Sequence, residues 1–374
     1  MNNSIMIDVD IYNELKNILL RYGHKNVLLV CDDAYNFLTI KNTIENLKEI
    51  VKIYKFNEFK PNPEYNSVCK GIELLHAKNC TCILAIGGGS AIDVAKCIKL
   101  FSNMDREKNY LEQEIIPNDI LLIAIPTTAG TGSESTRYAV IYYDHEKQSI
   151  THESAVPKYA FLAPHLLETL PLYQKKATML DALCHSVESF WSVNSTTESK
   201  ELSKKAITLI LDNIDAYLAN EKSGNLNMMI AANIAGQAIN ITQTTAGHAM
   251  CYKITSMFGL AHGHSAALCL PVIWKYMMCH PDKVADSRGR NYLSGVFDDL
   301  SQVLGVDNCE KAPLLIESIL ERLDLIPEII LDEDSLEILT SSVNVTRLKN
   351  SPVELNKKDI RSIYSLIFGE RMKG

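Results

Sequence analysis

An α/β domain followed by a mostly helical one is the fold class that this sequence predicts, on three observations. Short apolar runs alternate with helical patterns over about the first 165 residues, as layered sheet and helix require. After Pro164 strand signals nearly vanish and long helical patterns take over. Two glycine-rich turns each follow an apolar run, at the position where open parallel sheets bind ligands. At about 150 residues per domain, 374 residues suit two, which we place at 1–165 and 166–374.

The elements follow in order. Asn26–Cys31 (NVLLVC) is a continuous apolar run, which fits a strand buried on both faces of a parallel sheet. A helical pattern over Ile40–Leu47 separates it from the next run, Ile50–Phe56. A helix over Ser67–His76 leads to the strand Cys82–Ile86, and a helix over Ile92–Phe101 leads to Ile120–Ile125. Ala139–Tyr143 and Tyr159–Leu162 add two further strands. Beyond Pro164 the clearest helices are Lys175–Trp191, Glu198–Asn220 and Leu226–Gln243, with shorter ones at Leu314–Leu323 and Lys358–Phe368. There is no internal repeat and no low-complexity segment.

Composition excludes several classes of function. Hydrophobic residues are 47% and charged residues 22%, the balance of an ordinary folded protein rather than a disordered one. Lys plus Arg is 37 against 45 Asp plus Glu, a formal net charge of −8, which argues against a nucleic-acid partner. No apolar run reaches about 18 residues, so no membrane partner is expected. Asp8, Asp10 and Glu14 stand where a signal peptide is apolar, so the chain reads as a mature cytoplasmic protein. Of its ten cysteines, Cys31, Cys82, Cys97, Cys184 and Cys269 lie in apolar runs, and Cys80 and Cys82 form C-x-C without a second pair. Reduced, mostly buried thiols are expected, with no cysteine zinc site.

Gly87-Gly88-Gly89-Ser90 follows one buried strand and opens a helix. Glycines let backbone approach a ligand, and free N–H groups at a helix start suit a phosphate. The motif is not G-x-G-x-x-G, and a plain tight turn is its alternative reading. The turn from Pro126 to Glu134 (PTTAGTGSE) follows a neighbouring strand, so the two would line one crevice. Asp32 ends an earlier strand and is placed to accept from a ribose 2′-OH, which favours NAD(H) over NADP(H). Its alternative, shared with Asp33, is a helix N-cap.

Asp181 and His185 are four apart in a helical pattern, so both side chains share one face. His248 and His262 follow in Ala246-Gly247-His248 and Ala261-His262-Gly263-His264. One carboxylate and three neutral imidazoles leave a divalent ion a net +1 and an open position, and suit Fe(II) or Zn(II). Such an ion beside a nicotinamide makes hydride transfer to an aldehyde feasible. His24, His76, His145, His152, His165 and His280 are isolated and read as ordinary polar residues.

Taken together, GGGSAIDVAK at Gly87–Lys96, PTTAGTGSE, DALCH at Asp181–His185 and GHAMCYKITSMFGLAHGHSAALCLP at Gly247–Pro271 resemble the iron-containing (group III) alcohol dehydrogenase family. Pro61-Asn62-Pro63 fits the same pattern. The resemblance implies a Rossmann-like dinucleotide-binding domain, a helical C-terminal domain, the fold shared with dehydroquinate synthase, and an active site in the cleft between. It puts the metal ligands on Asp181, His185, His248 and His262. Cofactor contacts fall on Asp32, Asn62, Gly88, Gly89, Ser90, Asp93, Thr127, Thr128 and Thr131. It also implies a homodimer or larger homo-oligomer. Where many members carry a further histidine four residues after the third ligand, this chain has Tyr252. Two after the last ligand it has His264 instead of a small or apolar residue. Tyr252 and His264 are therefore the candidate proton-relay groups.

Arg137 in Thr136-Arg137-Tyr138, with Lys253, would suit an anionic substrate head. With Trp191-Ser192, Tyr252-Lys253 and His262-Gly263-His264, the pattern is similar to the phosphonoacetaldehyde reductase (2-hydroxyethylphosphonate dehydrogenase) subgroup. The function expected is NAD(P)H-linked reduction of a small aldehyde to its alcohol. A general short-chain alcohol or aldehyde reductase, a sulfoacetaldehyde reductase and, more distantly, a dehydroquinate synthase-type lyase are the alternatives. The alternative for Arg137 is a structural pair with a nearby carboxylate.

Overall fold

The structure, a computed structural model, describes residues 3–144 and 146–369. It forms two compact units: Met1–Pro171 with Ala219–Gly236, and Leu172–Leu218 with Gln237–Gly374. The first unit extends past the expected boundary at 165 and takes back a later segment. Gly132 explains part of that return. A Cβ on it would lie 2.5 Å from the Gly236 Cα, so two glycines let two backbones meet.

The first unit is built on a six-stranded sheet. Its strands are Ser4–Ile7 (β1), Asn26–Cys31 (β2), Lys52–Phe56 (β3), Cys82–Gly87 (β4), Leu121–Pro126 (β5) and Tyr159–Leu162. The last of these is β8, because a separate hairpin of Tyr138–Tyr143 (β6) and Glu146–Thr151 (β7) precedes it. The order is β1-β8-β5-β4-β2-β3 and every pairing is parallel. Period-2 alternation sends Leu28, Val30, Ile83 and Ala85 to one core and Leu29, Cys31, Leu84 and Ile86 to the other. Tyr65–Ala77 (α3) and Gly89–Phe101 (α4) cover the first face; Ile11–Arg21 (α1) and Ile40–Leu47 (α2) cover the second. Burial on both sides is why the inner strands β2, β4, β5 and β8 read as apolar runs. The turns after β4 and β5 lie side by side because those strands pair from Cys82–Leu121 to Gly87–Pro126.

The second unit is helical. Its framework is Leu172–Trp191 (α5), Thr197–Leu218 (α6), Ala246–Phe258 (α8) and His262–Cys279 (α9), with Lys222–Thr242 (α7) ending in it. Arg290–Val303 (α10), Lys311–Arg322 (α11), Glu333–Ser342 (α12) and Lys357–Gly369 (α13) complete it. From Gly263 to Trp274 α9 is buried all round, as a central helix must be. Among the described residues no helix is long and apolar enough to cross a membrane. All ten cysteines are unbridged and seven are buried, which matches the reduced-thiol expectation.

Candidate active site

Within the second unit, Asp181 and His185 lie one turn apart on α5, both buried. His248 stands in the first turn of α8, and His262 is the first residue of α9. Ligand atoms of Asp181, His248 and His262 all lie within 4.8 Å of one another. The Asp181 Oδ1 is 3.4 Å from His248 Nε2 and 3.9 Å from His185 Nε2. The His185 and His248 rings stack at 4.5 Å, and the His248 and His262 rings meet edge-on at 5.3 Å. Gly263 makes this convergence possible. A Cβ there would sit 2.1 Å from the Ala177 carbonyl oxygen and 2.5 Å from the Asp181 Cβ, so only glycine lets α9 begin against α5.

The charges are arranged to hold a cation. Burial pushes the Asp181 carboxyl up, but the three histidines outweigh it and hold the group well below the usual carboxylate range. Burial disfavours protonation of His248, yet Glu188 and Asp181 carry it up to about 9. His248 gives its Nδ1 to Glu188 Oε2, which leaves Nε2 facing Asp181. Two electron-rich atoms that close in a buried site require positive charge between them, a proton or a metal ion. Two bonds of about 2.05 Å at the tetrahedral angle put ligand atoms about 3.3 Å apart, close to the 3.4 Å seen here. The residues present therefore fit a divalent ion.

Glu188 escaped the sequence reading. It is fully buried, seven residues beyond Asp181 on α5, and an acid at that spacing has the look of any exposed helical glutamate. Its only sequence signal is that D-x3-H-x2-E keeps all three side chains near one face.

Tyr252 stacks on His262 at 5.2 Å and is partly exposed, and Lys253 beside it on α8 is also partly exposed. The structure gives His264 a different task from proton relay. It is buried, its Nε2 donates to the Leu325 carbonyl at 2.7 Å, and its Nδ1 meets the Tyr173 hydroxyl at 3.1 Å. Both ring nitrogens are thus engaged inside the fold.

In the first unit the two glycine turns touch. A Cβ on Gly88 would come within 3.3 Å of the Thr128 Cγ2, and one on Gly89 within 2.8 Å of the Thr131 Cγ2. Gly87 has the same relation to Asp32, whose Oδ2 would lie 3.3 Å from an added Cβ. Asp32, Gly88, Gly89, Ser90, Thr128 and Thr131 thus gather at the ends of β2, β4 and β5. Thr127, almost fully buried, donates its N–H to the Gly87 carbonyl at 3.1 Å. Asp32 Oδ1 also accepts from Ala34 N at 3.0 Å, so its N-cap reading is realised. Burial raises its carboxyl pKa. Asn62 is exposed with φ +60°, in a loop whose Pro63 carbonyl accepts from Tyr142 N. Asp93, an expected cofactor contact, is held by the protein itself. Its Oδ1 accepts from Ser133 Oγ at 2.6 Å and its Oδ2 from Val140 N at 3.0 Å, so it ties α4 to the second turn and to β6.

Arg137 takes its alternative role in the structure. Its Nη1 lies 2.8 Å from Glu153 Oε1 and its guanidinium sits over the Tyr138 ring. Four of the isolated histidines have ordinary partners: His24 with Thr81, His76 with the Ser102 carbonyl, His152 with Ser154 and His280 with the Tyr276 carbonyl. His165 is exposed, and His145 lies outside the described residues.

With this geometry in hand, comparisons with known proteins are informative. The family described as iron-containing alcohol dehydrogenase matches residues 2–164, and its C-terminal counterpart, the Fe-containing alcohol dehydrogenase family, matches residues 175–368. The chain is 31% identical over 320 residues to the phosphonoacetaldehyde reductase of Streptomyces viridochromogenes, covering 82% of this chain and 80% of that one. It is 29% identical over 371 residues to long-chain-alcohol dehydrogenase 1 of Geobacillus thermodenitrificans, covering 93% and 91%. Its fold is that of the sulfoacetaldehyde reductase from Bifidobacterium kashiwanohense solved with NAD+, with a TM-score of 0.87, 22% identity and coverage of 98% and 97%.

Proposed function

Since the chain belongs to the iron-containing alcohol dehydrogenase family, we propose that it reduces a small aldehyde with an anionic head, phosphonoacetaldehyde to 2-hydroxyethylphosphonate being the leading case. The convergence of Asp181, His248 and His262 carries the reductase chemistry. The similarity to the Streptomyces viridochromogenes enzyme supports the substrate. A divalent ion, Fe(II) first and Zn(II) second, supplies a Lewis acid for the carbonyl oxygen, and a nicotinamide supplies hydride.

The rest falls to the chain. Asp181, His185, His248 and His262 hold the ion. The N–H groups of Gly88, Gly89 and Ser90 at the start of α4 hold the dinucleotide phosphates, helped by Thr127, Thr128 and Thr131. Asp32 accepts from a ribose 2′-OH and repels a 2′-phosphate, which favours NAD(H). Tyr252, stacked on His262 and open to water, passes a proton at its Oη to the nascent alcohol. Lys253 meets the anionic head, because Arg137 is engaged with Glu153. That same engagement favours a second reading, a reductase of neutral short-chain aldehydes.

The test is NADH oxidation by Fe(II)- or Zn(II)-loaded protein with phosphonoacetaldehyde, sulfoacetaldehyde, lactaldehyde and propanal. A kcat/KM at least about 100-fold higher for an anionic aldehyde, roughly 2.7 kcal/mol of discrimination, supports the proposal. Lys253→Ala should then raise KM for that substrate more than for propanal, and Arg137→Ala should do so less. Equal or better turnover of the neutral aldehydes refutes the anionic substrate.

A further inference from the structure

We infer that Glu188 is a positioning residue, which fixes His248 in the tautomer that carries its proton on Nδ1 and bares Nε2 toward Asp181. The inference rests on the metal-binding reading above and goes beyond it, because it assigns a role to a residue outside the ligand set.

Hydrogen-bond direction, joined to the metal-binding reading of Nε2, sets the tautomer. The Trp191 indole N–H can only donate, and it lies 2.9 Å from Thr245 Oγ1. Thr245 therefore accepts from Trp191 and turns its own proton to Glu188 Oε1, at 2.7 Å. The same oxygen accepts the backbone N–H groups of Gly247 at 2.7 Å and His248 at 3.3 Å. The other oxygen, Oε2, faces His248 Nδ1. The donors of fixed direction all meet Oε1; with Nε2 turned to Asp181 as a metal ligand, the ring proton stands on Nδ1 and Oε2 accepts it as a carboxylate oxygen.

A glutamine has one acceptor end and one donor end. Turned either way, its NH2 would face the amides of α8 or the His248 Nδ1–H. The His248 proton would lose its fixed seat, and Nε2 would no longer be the atom reliably presented. Space closes the remaining escape: a Cβ at Gly247 would lie 2.8 Å from Glu188 Oε1, so α8 and the carboxylate are already in contact. The chain from Trp191 through Thr245 to Glu188 thus sets the orientation of one ligand from the far side of its ring, as buried carboxylates do for metal-bound histidines.

The experiment measures Zn(II) affinity by competition with a chromophoric chelator, on wild-type protein and on Glu188→Gln, Thr245→Val and His262→Ala, with 15N histidine spectra in parallel. Glu188→Gln should bind Zn(II) about 10- to 100-fold more weakly and lose the Nδ1–H signature of His248, with its circular dichroism unchanged. Folded Glu188→Gln that binds within about threefold of wild type, with His248 still protonated on Nδ1, overturns the inference. If Glu188→Gln does not fold, Thr245→Val decides. It removes one hydrogen bond to Glu188 and should weaken Zn(II) about 3- to 10-fold; no loss there overturns the inference. His262→Ala separates the two levels. Wild-type binding that His262→Ala leaves untouched sinks the metal reading and this inference together. Binding abolished by His262→Ala but indifferent to Glu188→Gln sinks the positioning role alone.

Discussion

Gly263→Ala is the sharpest perturbation the site offers, because it adds one methyl group where helix meets helix. The new Cβ would lie 2.1 Å from the Ala177 carbonyl oxygen, 2.5 Å from the Asp181 Cβ and 2.8 Å from the Asp181 N. Non-bonded carbon contacts are most favourable at about 3.5–4.0 Å, so the start of α9 must retreat by about 1 Å. Two of the three obstacles are backbone atoms, which cannot swing aside as a side chain can. Overpacking of this kind costs about 1–3 kcal/mol and occasionally more, and we expect the upper end. At roughly 2–4 °C per kcal/mol for units of about 150–250 residues, the melting point should fall by about 6–12 °C. His262 precedes Gly263 and retreats with it, whereas ligand bonds tolerate only about 0.2 Å. A displacement of about 1 Å costs on the order of 100-fold in rate, and the Zn(II) affinity should drop with it. Differential scanning calorimetry and chelator competition give the two readings. Gly295→Ala, in α10 with nothing within 4 Å of the added Cβ, is the control and should lower neither. Gly263→Ala that melts within about 2 °C of wild type and binds Zn(II) normally would refute the close approach of α9 to α5.

Two further expectations concern the first unit. Lys96 is fully buried, with Nζ donating to the Thr136 carbonyl and Oγ1 and to the Tyr138 carbonyl at 2.7–3.0 Å. Lys96→Met strands those acceptors and should cost about 3–5 kcal/mol, read by urea denaturation; a loss below about 1 kcal/mol would mean that water or a neighbour replaces the ammonium. Asp32→Gly should shift the NAD/NADP ratio of kcat/KM toward NADP by at least about tenfold, or about 1.4 kcal/mol. An unchanged ratio would leave Asp32 as the cap of Ala34 alone.

What was legible follows from burial. Asn26–Cys31 and Tyr159–Leu162 are strands over the ranges the sequence predicts, because strands covered on both faces read as unbroken apolar runs. β7 was missed because EKQSIT is polar and buries only Ile150, and β1 because it is a short edge strand. The hairpin placement of β6 was equally hidden, since a strand run does not say which sheet it joins. α9 lacks the amphipathic period that marks α1 because it is buried on nearly every side, and α8 because its first half is buried all round. At the site, Asp181 and His185 stood out because local spacing places them on one face. Asp93, Arg137 and Glu188 did not disclose their roles, because each is defined by a partner at least 16 residues away.

His262-Gly263-His264 shows how the two kinds of information combine. His264 Nε2 must donate to Leu325, since a carbonyl only accepts, so Nδ1 is the acceptor for the Tyr173 hydroxyl. Tyr173 in turn accepts the Ala261 N–H at 2.9 Å. That closed set leaves His264 neutral, as its burial also favours, with no proton free to relay. It pins the start of α9 to α5 and to the loop at Leu325, while Gly263 sets how near α9 comes to Asp181. Three adjacent residues thus hold one member of the converging cluster, one close helix contact and one anchor.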